Sequence, residues 1–141
     1  MVNCNDIIKL FKSGKLLEND ITTQWKYFIE EQWVKDLIQS KHPNYNLGYP
    51  ILGFKYEVGH FLDWHTDDMY DNTNNIVMTG GMVLNNDYEG GIFEFEDGTI
   101  LDQTPGKVFE MKRDVLHRVT KITKGVRYSL HYKLEKLQTL I

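Results

Sequence analysis

Residues 50–67 read PILGFKYEVGHFLDWHTD. Phe54, Tyr56 and Val58 alternate with Gly53, Lys55 and Glu57. A period of two is that of a β-strand, whose successive side chains point to opposite faces. The stretch closes on His65-Thr66-Asp67. At a strand end, residues i and i+2 point to one side, so an imidazole and a carboxylate converge there.

Downstream, short extended runs are predicted at His60–His65, Ile76–Leu84, Gly91–Phe95, Thr99–Leu101, Lys107–Met111, Leu116–Thr120 and Val126–Leu134. Turn residues separate them, and Asp97-Gly98 between two apolar runs is a hairpin signal. Upstream, the pattern is helical. Asn5-Asp6 predicts the cap of a short helix through Lys12, ended by Ser13-Gly14. Asn19-Asp20 predicts the cap of a second helix over 21–41. Along it Ile21, Trp25, Phe28, Ile29, Trp33, Leu37 and Ile38 follow helical spacing as a packing stripe. His42-Pro43-Asn44 breaks it. Helices followed by many short strands predict a β-sandwich or barrel buttressed by helices.

The chain has 141 residues, room for one domain over 1–141. Hydrophobic residues make up 41% and charged residues 26%, which argues against disorder. No run reaches the length of a membrane span, and the start lacks a signal-peptide layout. The lone Cys4 excludes an internal disulfide and multi-cysteine metal clusters, so a cytoplasmic home is expected and Cys4 reads as inert. The net charge of −4 hides a split. Residues 1–55 carry seven Lys against six Asp and Glu, residues 56–106 no Lys or Arg against eleven, and residues 107–141 nine against three. No basic face for nucleic acid is present.

Two ligands do not make a catalytic metal site. A third would come from His42, His60, His117 or His131. Two His and one carboxylate form the facial triad of non-haem iron oxygenases, which leaves three positions open. Arg127 and Ser129 share a strand face ten residues beyond His117. An inward Arg needs an anion, because an unpaired buried charge is costly. That anion is either an Asp or Glu of the chain or a carboxylate ligand.

Residues 51–134 resemble the core of the 2-oxoglutarate- and Fe(II)-dependent dioxygenases, within them the prolyl 4-hydroxylase-like group. The motifs come in the same order: Tyr56-x-x-Gly59, His65-x-Asp67, Met82-Val83-Leu84-Asn85, Gly90-Gly91-x-Phe93-x-Phe95, Pro105-Gly106, His117 and Arg127-x-Ser129. The resemblance implies a double-stranded β-helix, or jelly roll, over 49–135. N-terminal helices (1–48) would pack on its major sheet. It implies that His65, Asp67 and His117 hold Fe(II), and that Arg127 pairs with the distal carboxylate of 2-oxoglutarate, helped by Tyr56 and more weakly by Ser129. It implies hydroxylation with O2, releasing succinate and CO2, and ascorbate as an accessory reductant. Asp67 fits hydroxylation, since related halogenases replace this carboxylate with a small residue. The implied substrate is a prolyl residue in a peptide or protein. A free amino acid or small metabolite is the second reading, and a non-catalytic cupin-like binding domain the third. The sequence departs from many relatives in having no Arg in Ile76-Val77-Met78-Thr79. Ser129 and Lys133 set it apart from the alkylation-repair demethylases, and Arg127 from the Jumonji-type enzymes.

Five further expectations follow. Trp64 packs outward, and Glu94 and Glu96 lie on a solvated face. His131 lines the pocket or finishes its strand. Residues 68–75 form a solvated loop or a lid. The acidic block would favour a cationic substrate.

Overall fold

The computed structural model describes residues 3–14, 17–18, 24–67 and 75–137. Helix α1 (Cys4–Ser13) begins two residues earlier than the sequence suggests, because Asn3 is the cap: its side chain accepts the Asp6 N–H at 3.3 Å. The helix ends where the Gly14 N–H reaches Leu10 O at 2.9 Å. Ile7 and Phe11, one turn apart, are its buried face.

A two-residue strand β1 (Leu17–Glu18) follows, and then the predicted helix over 21–41 fails to form as one piece. Residues 25–28 are strand β2 (Trp25–Phe28), and only the second half is helical, α2 (Gln32–Lys41). Next come β3 (Tyr45–Leu47) and β4 (Leu52–Tyr56). The apolar positions 25, 28, 29 and 33 fit a helix, but 25, 27 and 29 also alternate. Pairing decides the matter: Trp25, Lys26, Tyr27 and Phe28 lie opposite Lys55, Phe54, Gly53 and Leu52. Aromatic side chains suit such a pleated surface, and tertiary contacts override helix propensity. Tyr27 and Ile29 are buried, whereas Phe28 and Trp33, members of the expected stripe, are 41% and 46% exposed.

The rest of the chain is strand: β5 (Leu62–His65), β6 (Ile76–Val83), β7 (Glu89–Gly90), β8 (Phe93–Phe95), β9 (Val108–Lys112), β10 (His117–Val119), β11 (Ile122–Lys124) and β12 (Arg127–Lys136). The major sheet runs β1-β2-β4-β12-β6-β9, with β3 on the far end of β12. Two smaller sheets, β5-β10-β8 and β11-β7, complete the jelly roll. The Asp97-Gly98 turn is a hairpin in which Phe95 O accepts the Gly98 N–H, and Gly98 has φ +89, open to glycine at little cost. Its second arm, expected as strand Thr99–Leu101, pairs through a single bridge, Glu94 to Ile100.

Strand β12 is buried on both faces. Leu130, Tyr132 and Leu134 join Ile7, Phe11, Val34 and Ile38 of the helices in one apolar cluster. Gly53 permits this packing: a Cβ there would lie 2.5 Å from Phe11 Cζ. The odd-numbered residues Arg127, Ser129 and His131 face the other way. There Phe54, Tyr56, Phe93, Met111, Val119 and Ile122 form the second cluster, between the sheets.

Candidate active site

The pairing of β5 with β10 sets His65 opposite His117, with ring centroids 4.2 Å apart. Asp67 lies two residues past β5. Its N–H donates to Arg113 O at 2.8 Å, and Arg113 Nη2 donates back to Asp67 O at 3.2 Å. Asp67 Oδ1 then stands 3.6 Å from both His65 Nε2 and His117 Nε2. These three residues are the His/Asp cluster whose ligand atoms all fall within 4.8 Å of one another.

Their orientation suits a metal. His65 Nδ1 is 2.7 Å from Asp63 O, and His117 Nδ1 is 2.8 Å from Val115 O. A carbonyl only accepts, so each Nδ1 carries the proton and each Nε2 lone pair points to the shared centre. Burial pushes His117 below the ordinary imidazole range, which keeps it in the neutral form that ligation requires. The Asp67 pKa is lowered too, which keeps that group charged. Burial opposes its ionisation, but His131, His117 and the Thr79 hydroxyl outweigh it and hold the carboxyl down at about 2. Bonds of about 2.1 Å at right angles would set ligand atoms roughly 3.0 Å apart. The observed 3.6 Å separations need only a small inward movement, so the donor set fits a divalent ion.

The second oxygen of Asp67 is engaged elsewhere. Thr79 Oγ1 donates to Oδ2 at 2.7 Å, and His131 Nε2 lies 3.7 Å from it. Of the other candidate ligands, His60 Nδ1 accepts the Glu57 N–H. His42 sits on the helix side of the sheet, between Glu110 Oε2 at 2.7 Å and Tyr132 Oη at 2.6 Å.

A small cavity of ≈ 20 Å³ opens beside the cluster, lined by Phe54, Tyr56, Leu62, Val83, Phe93, Phe109, His117, Val119, Arg127, Ser129, Leu130 and His131. Phe93 stacks on the His117 ring, 7° from parallel. Arg127, only 2% exposed, lies in the same wall as His117. Its Nε and Nη2 donate to Gln103 Oε1 at 3.2 and 2.9 Å, and its Nη1 donates to Ser129 Oγ at 3.3 Å. The Tyr56 ring lies under the guanidinium at 5.1 Å. Burial pushes the Tyr56 phenol up to about 12, despite the nearby cation, so it keeps its proton. Among the described residues no Asp or Glu pairs with Arg127, so the internal salt bridge considered above is not formed.

Gln103 and Thr79 were invisible as site residues in the sequence: neither belongs to a local pattern with its partner. Trp64 does face outward, with the Arg118 guanidinium 4.6 Å over its ring and Arg118 paired with Glu94. Glu94 is thus half-buried, and Glu96 is exposed. The loop or lid expected at 68–75 lies, but for Asn75, outside the described residues.

This arrangement can be set beside known structures. The fold is that of the 2-oxoglutarate- and Fe(II)-dependent oxygenases. The viral collagen prolyl hydroxylase of Paramecium bursaria Chlorella virus-1, solved as a 2-oxoglutarate complex, superposes with a TM-score of 0.66 at 14% identity. That match covers 96% of this chain and 90% of that one. An oxidoreductase of the 2OG-Fe(II) oxygenase family from Burkholderia pseudomallei gives 0.72 at 12% identity, over 94% and 77% of the two chains. The Trichoplax adhaerens prolyl hydroxylase, in complex with a peptide fragment of the hypoxia-inducible factor oxygen degradation domain, gives 0.66 at 15%, over 95% and 76%. At the level of sequence, no family model and no curated protein gives a match. No helix among the described residues is long and apolar enough to cross a membrane.

Proposed function

We propose that this chain is a 2-oxoglutarate- and Fe(II)-dependent dioxygenase that hydroxylates a C–H bond, with a prolyl residue of a peptide or protein as its substrate. The observation that carries the reading is Arg127: a buried guanidinium with no carboxylate partner among the described residues, in the wall of the same small cavity as His117 of the His-Asp-His cluster. An enclosed cation of this kind calls for an anionic ligand. A ligand that also reaches the cluster needs a second chelating end. 2-Oxoglutarate has both, a distal carboxylate for Arg127 and a 2-oxo acid for the metal.

His65, Asp67 and His117 would hold the iron, leaving three positions open. When bound, iron supplies the redox chemistry by which O2 and 2-oxoglutarate become succinate and CO2 while one oxygen atom enters the substrate C–H bond. The chain's own residues bind and orient. Arg127 would take the distal carboxylate in a charge-assisted fork. Tyr56, protonated, has a hydroxyl to donate to the same group. Phe54, Leu62, Phe93, Phe109 and Val119 wall the cavity with apolar surface, which keeps water out and strengthens those contacts. The peptide reading is supported by the Trichoplax adhaerens structure, which holds a peptide fragment. The acidic stretch 56–106 supports a cationic one. Ascorbate would act only as an accessory reductant.

The test is a peptide and amino-acid panel with Fe(II), 2-oxoglutarate and O2, read by mass spectrometry for a gain of about 16 Da and by succinate release. A gain on prolyl peptides that depends on 2-oxoglutarate is expected. A panel with neither product nor succinate above background would overturn the reading.

A further inference from the structure

Among the described residues the partners of Arg127 are all neutral: an amide oxygen, a hydroxyl and a phenol ring. A guanidinium has five N–H groups. Gln103 Oε1 takes the Nε–H and one on Nη2, and Ser129 Oγ takes one on Nη1. Among the described residues one N–H remains on each terminal nitrogen, two donors for an anion.

The chain has a carboxylate one residue away and turns it aside. Asp102 accepts from Lys107 Nζ at 2.6 Å and from the Thr104 N–H and hydroxyl at 3.0 and 2.7 Å. Gln103 alone reaches inward. Its oxygen satisfies one edge of the guanidinium without cancelling the charge.

We infer that Gln103 is a positioning residue that holds the Arg127 fork open and fully charged, and so selects a doubly anionic cosubstrate over a singly charged 2-oxo acid. The inference rests on the cosubstrate reading above. It differs from a structural role in what Gln103→Glu should do. That variant keeps shape and acceptor, and adds a charge that pairs with Arg127. A purely structural Gln would be replaced without loss, whereas a charge-preserving Gln would not.

The experiment uses Mn(II)-loaded protein under argon, titrated with 2-oxoglutarate and with 2-oxobutyrate, which chelates alike but lacks the distal carboxylate. For Gln103→Glu we expect at least a tenfold rise in Kd for 2-oxoglutarate, an unchanged Kd for 2-oxobutyrate and Mn(II), and a melting temperature equal to or above wild type. Gln103→Leu, which removes the anchor, should also weaken 2-oxoglutarate alone, with a lowered melting temperature. If wild type binds 2-oxoglutarate and Gln103→Glu binds it equally well, the inference fails while the cosubstrate reading stands. If Gln103→Glu weakens both acids in parallel, its role is general and the inference fails. If wild type shows no 2-oxoglutarate binding, the cosubstrate reading falls and this inference with it.

Discussion

Replacing Arg127 by methionine separates a residue that binds a ligand from one that holds the fold. The side chain is 2% exposed and keeps two N–H groups without a partner among the described residues. Two hydrogen bonds to a charged partner come to about 3–6 kcal/mol, and truncating one member of a buried charge pair costs about 2–5 kcal/mol. The overlap is a loss of roughly a hundred- to several-thousand-fold in 2-oxoglutarate affinity, at about 1.4 kcal/mol per tenfold. Stability behaves otherwise. Methionine removes an uncompensated buried charge, which favours the fold, and strips donors from Gln103 and Ser129, which does not. These effects oppose, so the melting temperature of the free protein should move by no more than a few degrees, about 1 kcal/mol. Metal affinity should hold, since none of the contacts of Arg127 is to His65, Asp67 or His117. The assay is calorimetric titration of Mn(II)-loaded protein, with thermal melts alongside. Wild type at a hundred times Kd gains about 2.7 kcal/mol from the ligand, and Arg127→Met gains nothing at the same concentration. An Arg127→Met protein that binds 2-oxoglutarate within threefold of wild type would refute the reasoning.

Thr79→Val removes the donor to Asp67 Oδ2 at almost constant volume. Metal affinity should drop about 10- to 100-fold and recover in Thr79→Ser, as read by Mn(II) titration. His65→Ala and Asp67→Ala should abolish metal binding, which an unchanged metal content after dialysis would contradict. His42→Ala should leave metal content intact yet cost about 2–4 kcal/mol in urea unfolding, because it leaves Tyr132 and Glu110 unpaired beside a cavity. Gly53→Ala drives a methyl to within 2.5 Å of Phe11 and should cost about 1–3 kcal/mol of stability with no effect on metal affinity. Equal unfolding midpoints would show that helix α1 yields freely.

What was legible in the sequence is what a short period encodes. His65 and Asp67 share a side because they are i and i+2 at a strand end, and Arg127 and Ser129 share a face for the same reason. The choice among His42, His60, His117 and His131 could not be made from local pattern, because the β5–β10 register makes it. The resemblance to the oxygenases pointed to His117 through the order of motifs, and geometry brings that residue to the cluster. Residues 25–29 misled because one spacing serves two periods. Gln103 and Thr79 escaped because their partners lie across the fold: Gln103 is 24 residues from Arg127, and Thr79 is 12 from Asp67.

Strand β12 ties these results together. Its even-numbered side chains anchor the helices and its odd-numbered ones equip the cavity. It pairs with β4 on one side and β6 on the other, so a single-residue slip would exchange the two sets. Such a slip would bury Leu130 in the cavity and press Arg127 into the helix cluster. Register is therefore fixed by the same apolar contacts that the helices supply, and the N-terminal helices act on the site without touching it. The His-Asp-His cluster is less well braced. Its residues come from the three-stranded sheet and the turn after β5, clamped by Arg113 and Thr79. On this basis, perturbing α1 or α2 should weaken 2-oxoglutarate before it weakens metal, and perturbing Arg113 should do the reverse. Phe11→Ala and Arg113→Ala, titrated side by side with Mn(II) and 2-oxoglutarate, should show that opposite order. Parallel losses in both variants would mean that the two halves of the site are held as one.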